Sequence, residues 1–358
     1  MLDYQTSQSP SQKLAELCKQ AADTVVLYSE DYREAHVEFA TRVWPTKRRR
    51  RDENYLRWKH RATEQGPING LLLAVVDGKV VGQLGLIAAT MKIGTGVYPC
   101  QWLCDLMVDS SMRRKRVGSL LLATAMVRDV VTLVCNPTHL ANLSMLRLGF
   151  QPLTGPRYMM LPVKLSLVLN WKLPEFLKSV IPLLSGLGQP LATMRCRAIT
   201  KANRKVEAVS CGWRDAVPLI EAKQASTTDP QVVHDLEFLK WRCSGLGAFS
   251  PELEALRTES GGYAVVGSAP PFFDVYDWSA NDPDDFAAIF HGIYNLAKKS
   301  NSEIVRSLAQ DDREESWLKG AGFIPTRSRC NVLCYPPDKL VPNYQNFHHT
   351  MFDSDESI

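Results

Sequence analysis

The 358-residue chain carries little net charge: 42 lysines and arginines stand against 38 aspartates and glutamates, a formal balance of +4. So small a balance on so long a chain does not point to a general nucleic-acid binder, and any anion site must come from a local patch. Cysteine is unpatterned as well. The nine cysteines are odd in number and scattered, with no paired CxxC spacing of a zinc site, which predicts buried, reduced thiols and no metal. The run CNVLC, holding Cys330 and Cys334, alternates like a strand. The opening residues, MLDYQTSQSPSQKLAE, lack the basic start and apolar centre of a secretory signal. The most hydrophobic stretch, 161–191, is broken by Lys164, Lys172, Glu175, Lys178 and four prolines, so it lacks the ~20 clean apolar residues that span a bilayer. These absences predict a cytoplasmic protein and leave open a surface-lying membrane contact of that segment.

The remainder is ordinary globular composition, 45% hydrophobic and 22% charged, at a length that suggests two domains. An internal likeness supports the number. YLRWKH (Tyr55–His60) and FLKWRC (Phe238–Cys243) share the order aromatic, Leu, base, Trp, base. Each is followed by an apolar strand-like run, then by an aspartate-bearing run, QWLCDLMVD or FFDVYDW. Each half then reaches a helical pattern closing in Gly-Phe, MLRLGF (Met145–Phe150) or WLKGAGF (Trp317–Phe323). Matches in one order suggest a duplication. The expected division is an N-terminal segment 1–22, a first unit 23–165, a Pro-rich apolar linker 166–200, a second unit 201–340 and a tail 341–358.

In the first unit, LLLAVVDGKVVGQLGLI reads as a hairpin turning at Asp77-Gly78. YPCQWLCDLMV (Tyr98–Val108) is a third strand, the helical pattern runs from about Val117 to Val130, VTLVCN (Val131–Asn136) is a buried strand, and THLANLSMLRL is a helix stopped by Gly149. The order predicts a mixed-sheet α/β (α+β) fold. Between strand and helix lies RRKRVGS: Arg113, Arg114, Lys115 and Arg116 run straight into Val117, Gly118 and Ser119. A strand running into a helix presents unpaired N–H groups and the positive end of the helix dipole, a site where phosphates bind readily. The plainer alternative is a solvated loop.

This order, with these residues, resembles the GNAT superfamily of N-acetyltransferases, in which Arg/Gln-x-x-Gly-x-Gly/Ala wraps the pyrophosphate of acetyl-coenzyme A. Arg113, Arg116 and Gly118 fall on the three fixed positions, and LSMLRLGF matches the second signature. The resemblance implies an acyl-CoA N-acyltransferase fold in two tandem GNAT-like units, the second degenerate. It implies an acyl-CoA-dependent N-acyltransferase that uses acetyl-CoA or another acyl-CoA as co-substrate and a small-molecule or saccharide amine as acceptor. YLRWKH and the closing FHHTMFDSD are also similar to tandem members found with exopolysaccharide genes, which suggests an amino sugar of a surface polysaccharide. The other class left open is a non-catalytic binding or scaffold protein that keeps the fold.

By the same resemblance, a backbone N–H near Met107 or Val108 polarises the thioester carbonyl, with Met107, Val108 and the loop 113–119 as the cofactor-binding residues. Arg116 replaces the pattern's first glycine, which costs about 1 kcal/mol if that position needs a positive φ. Asp105 is the candidate base, two residues before Met107 and hence on its face of a strand, with a substrate-cation or capping role weighed equally. The family's acid tyrosine falls at Met145, which has no proton to give. Tyr158 could reach in from the next strand or merely pack in the core. Cys135 and His139 in CNPTH are a weak nucleophile–base pair. Lys47–Arg51 (KRRRR) reads as a solvated helix start, with contact to anionic lipid or polymer open. In the second half SANDPDDFAAIF puts Asp282, Asp284 and Asp285 where the phosphate loop would fall, and acids there repel pyrophosphate.

Overall fold

The computed structural model describes residues 10–46, 48–62, 66–128, 130–164, 174, 206–243, 252–336 and 344–353. Apart from Pro174, the expected linker 166–200 and any membrane contact through it lie outside the described residues. Within them, no helix is long and apolar enough to cross a membrane.

The chain divides into two compact units. The first comprises 1–154, 229–233 and 331–347, and the second 155–228, 234–330 and 348–358.

Unit one opens with α1 (Pro10–Ala21), which buries Leu17 and Ala21, so part of the polar N-terminal segment is packed structure. There follow β1 (Val25–Leu27), α2 (Arg33–Val43), α3 (Glu53–Lys59), β2 (Leu71–Val76), β3 (Lys79–Ile93) and β4 (Gly96–Val108). Then come α4 (Val117–Met126), β5 (Val131–Cys135), α5 (His139–Arg147) and the start of β6 (Gln151–Pro162). The β2–β3 turn is tight because Asp77 and Gly78 both take positive φ, 50° and 71°, as a two-residue hairpin loop demands. Helix α4 ends at Met126, short of the expected Val130. The sheet order is β1-β2-β3-β4-β5, closed by the end of β13 (Ile324–Tyr335) antiparallel to β5. The core packs α4 and α5 on this sheet through Val117, Leu121, Met145, Phe150 and Leu333. Gly82 on β3 lets α4 settle closely: a Cβ there would meet Val117 Cγ1 at 3.0 Å.

Unit two repeats the plan. After β7 (Val209–Gly212) and α6 (Val217–Ser226), the chain adds β8 (Gln231–Val232) to unit one, antiparallel to β3, and resumes unit two with α7 (Leu236–Cys243), β9 (Leu253–Arg257), β10 (Tyr263–Ala269) and β11 (Phe272–Ser279). Then follow α8 (Pro283–Lys299), β12 (Ile304–Ala309), α9 (Asp312–Gly320) and β13. As in unit one, the hairpin strands are antiparallel, and a parallel pair, β11–β12, follows. α5 and α9 both end at glycines in the left-handed region, Gly149 (φ 98°) and Gly322 (φ 94°), each followed by a buried phenylalanine, Phe150 or Phe323. The final strand of each repeat does not stay with its own repeat: β6 pairs with β12, and β13 with β5. Eight cysteines fall among the described residues and none of them forms a disulfide there; Cys100, Cys104, Cys330 and Cys334 are buried, and Cys18, Cys135, Cys211 and Cys243 half-buried.

Candidate functional site

The β4–β5 ladder holds only Cys100, Gln101 and Trp102 against Val131, Thr132 and Leu133. β4 runs on to Val108, so the two parallel strands part after Trp102 and the β5 side of residues 103–108 has no ladder partner among the described residues. At the top of that edge the chain turns through Ser110–Met112 into the basic loop.

The base of the loop is pinned. Asp109 Oδ1 accepts from Ser111 N (2.9 Å) and Ser111 Oγ (2.8 Å), Arg42 Nε donates to Asp109 Oδ2 at 2.8 Å, and Asp109 N donates to Val81 O at 2.8 Å. The Ser111 amide and hydroxyl, with Arg42, hold this carboxyl below its ordinary value. Because Arg42 already meets Asp109, the loop cations are not drawn to it. Arg113, Arg114, Lys115 and Arg116 are all exposed, and among the described residues none forms an ion pair.

The backbone of the loop is unusual. Arg114 (φ 69°) and Arg116 (φ 62°) both lie in the left-handed region, where such steps fold successive amides into a concave anion-binding nest. Arg116 is the N-cap of α4 and provides no side-chain cap. Arg113 N donates to Ser110 O and Lys115 N to Met112 O. The amides of Arg114, Arg116, Val117, Gly118 and Ser119 meet no backbone carbonyl among the described residues. Gly118 adds a further observation: a Cβ built there would touch only Val108 Cγ2, at 3.6 Å. The protein itself has room for a side chain at 118, so what the bare backbone leaves open is close approach from outside. Open amides, a helix dipole, unpaired cations and a bare glycine fit a diphosphate.

Asp105 requires a correction. The strand is not regular there: Gln83 pairs with Met107 and Gly85 with Cys104, so Asp105 and Leu106 together face Leu84 alone. This is a β-bulge, and Asp105 takes φ 51°. Two-residue alternation fails across it, so Asp105 is not placed on the Met107 face by spacing. Its oxygens are also engaged, Oδ2 by Lys59 Nζ at 2.8 Å and Oδ1 by Arg50. Lys59 is fully buried, and the buried Arg50 lies over the Trp44 ring, 4.8 Å from its centroid. Arg50 thereby corrects the reading of Lys47–Arg51 as a solvated helix start: residues 48–51 form a 3-10 turn that drives one arginine inward.

Met145 is 1% exposed and belongs to the core of unit one. Tyr158 is half-buried on β6 in unit two, opposite Leu308. Cys135 ends β5 and the exposed His139 begins α5. Sequence reasoning did not find Arg50 and Lys59 as partners of Asp105. The only signal was the density of bases before YLRWKH.

In unit two the corresponding end is closed. Asp282 caps α8 by accepting from Asp284 N and Asp285 N, both at 2.9 Å. Asp285 is itself buried and accepts from Ser260 Oγ. Trp278, beyond the end of the β11–β12 ladder, donates from Nε1 to Leu308 O at 2.9 Å and so bridges those parting strands.

Residues 25–129 match the model of the acetyltransferase (GNAT) domain family. The chain matches no curated protein sequence. Among solved structures, 86% of it aligns with 70% of a GCN5-related N-acetyltransferase from Kribbella flavida, at 14% identity and TM-score 0.55. Another GCN5-related N-acetyltransferase, from Anabaena variabilis, aligns over 86% of this chain and 71% of its own, at 9% identity and TM-score 0.56. Saccharomyces cerevisiae N-myristoyltransferase with bound myristoyl-CoA aligns over 87% of this chain and 81% of its own, at 14% identity and TM-score 0.54. At such identities the likeness to these structures is one of fold.

Proposed function

We propose that unit one, whose residues 25–129 match the model of the acetyltransferase (GNAT) domain family, transfers an acyl group from acyl-coenzyme A to an amine, with the diphosphate held by Arg113–Ser119. The observation that carries this reading is the uncapped start of α4, with free amides at Arg116–Ser119 beside unpaired cations. Each charge-assisted hydrogen bond there contributes on the order of 1.5–3 kcal/mol.

The bound acyl-CoA supplies the thioester carbon to which the amine nitrogen bonds while the carbon–sulfur bond breaks. The chain supplies position and charge. The unpaired side of β4 offers N–H and C=O groups to an extended, amide-bearing arm, as a sheet edge does for an added strand. In this reading a backbone N–H at Met107 or Val108 stabilises negative charge on the carbonyl oxygen. A thiol of ordinary pKa near ~8.5 leaves as thiolate without an acid, so a core methionine at 145 is compatible with turnover. In this reading Asp105, ion-paired on both oxygens, orients Arg50 and Lys59. Among acceptors, an amino sugar is the class suggested by the resemblance of YLRWKH and FHHTMFDSD.

Isothermal titration calorimetry with acetyl-CoA tests the reading. Micromolar binding is expected, with loss of at least tenfold in affinity for Arg113→Ala and for Gly118→Trp. No binding by the unmodified chain, or full binding by Gly118→Trp, overturns it.

A further inference from the structure

We propose that the acceptor amine is carried on an anionic molecule, and that Arg50 binds its carboxylate or phosphate beside the bulge of β4. This rests on the reading of unit one as the acyl-transfer unit and narrows its substrate class.

The first observation is charge. Arg50 and Lys59 both meet the carboxylate of Asp105, two residues from Met107. A buried guanidinium whose donors are not all met is costly. Arg50 Nε is buried and has no hydrogen-bond partner among the described residues. The guanidinium therefore has unused donors, and the Trp44 face beneath it fixes its plane.

The second observation is a control built into the molecule. Unit two has a bulge at the matching point of β11, where Val265 pairs with Asp277 and Val266 with Val275, leaving Tyr276 unmatched. Its aspartate, Asp277, is held by Lys223 Nζ at 2.9 Å, just as Asp105 is held by Lys59. The Asp–Lys pair thus accompanies the bulge in both units, including the one whose helix end is closed by Asp282, and it answers a structural need. The other partner differs. Asp277 accepts from the neutral Tyr263 hydroxyl at 2.7 Å, whereas Asp105 meets Arg50. Asp277 thus has one cation within ion-pair distance and Asp105 two, so the purpose of Arg50 is sought in what unit one binds.

Planar guanidinium donors suit carboxylate and phosphate. An amine whose carrier is anchored there by an anion is held close to Met107 and Val108, which lowers the entropic barrier to attack.

The test uses the full chain, acetyl-CoA and matched amines: an amino acid against its amide, and glucosamine 6-phosphate against glucosamine, with release of free thiol followed. The expected result is a kcat/KM at least tenfold higher for the anionic member of one pair; which pair shows it separates carboxylate from phosphate. Arg50→Gln, which leaves the neutral Lys59–Asp105 pair, should bring that ratio near one without changing acetyl-CoA affinity by calorimetry. Arg50→Lys should keep part of it. In the unmodified chain, acetate or inorganic phosphate should compete with the amine and not with acetyl-CoA, a readout independent of how the variants fold. Equal use of neutral and anionic partners, a ratio that survives Arg50→Gln, absence of competition by either anion, or turnover of none of these amines by a chain that binds acetyl-CoA overturns the proposal. A chain that does not bind acetyl-CoA overturns the acyl-transfer reading itself.

Discussion

Arg116 is held in a conformation that suits glycine, and its exposed side chain makes no ion pair among the described residues. Strain of about 1 kcal/mol at such a position persists where the surroundings use it. Arg116→Gly separates the two contributions. It relieves the strained φ at some cost in unfolded-chain entropy, so stability by urea unfolding should stay level or rise by up to about 1 kcal/mol. Loss of the cation should weaken acetyl-CoA binding several-fold in calorimetry at low salt, and the two quantities should move in opposite directions. The loop was legible in the sequence because four bases, a glycine and a helix start are adjacent along the chain. Asp105 was legible only as a residue. Its bulge arises from how β3 and β4 align, and its partners come from 46 and 55 positions earlier in the sequence, distances over which periodicity carries no information.

At the scale of elements, the contrast lies between two helix starts. α4 begins at an uncapped arginine, whereas α8 begins at Asp282, whose carboxylate occupies the amides that α4 leaves open. From sequence the acid-rich SANDPDDF marked this end only as repelling pyrophosphate; the cap itself fits the pattern of Asp before Pro and further acids at a helix start. Asp282→Ala should cost about 1 kcal/mol of stability in chemical denaturation, the usual loss for an N-cap. It should leave acetyl-CoA stoichiometry at one per chain, because Asp284 and Asp285 still repel an anion there. A stoichiometry of two would place a second anion site in unit two. The hairpin at Asp77-Gly78 and the Gly-Phe helix stops were also readable, because each is fixed by the φ preference of one or two residues. The end of α4 was not: no glycine or proline stands between Val127 and Val130 to mark a stop, and the helix ends where Val127 becomes exposed.

At the scale of the molecule, the duplication was visible in four ordered matches, but the exchange of β6 and β13 was not, since pairing between distant strands leaves no local mark. Nor did the sequence reveal how polar the interior of unit two is. Its closing residues are buried: His234 Nε2 lies 2.8 Å from Asp353 Oδ1, and Gln310 Nε2 donates to His349 O at 2.7 Å. Burial, reinforced by Lys223, pushes the His348 imidazole down to about 3, and burial also lowers His349. A histidine depressed in the folded state binds fewer protons there than in the unfolded chain. Its contribution to stability is therefore intact above about pH 6.5 and is lost as pH falls toward 3. Glu314 acts oppositely, because burial raises its carboxyl to about 6; it favours the fold below about pH 4.5 and loses that effect as pH rises through 6. The wider His348 gap outweighs it, so the net expectation is acid destabilisation of several kcal/mol between pH 6.5 and 3. His348→Gln removes the titrating group while keeping a polar side chain. Urea midpoints measured from pH 7 to pH 4 should fall steeply for the unmodified chain and clearly less for His348→Gln. Equal slopes would show that the acid sensitivity of unit two arises elsewhere in its buried charges.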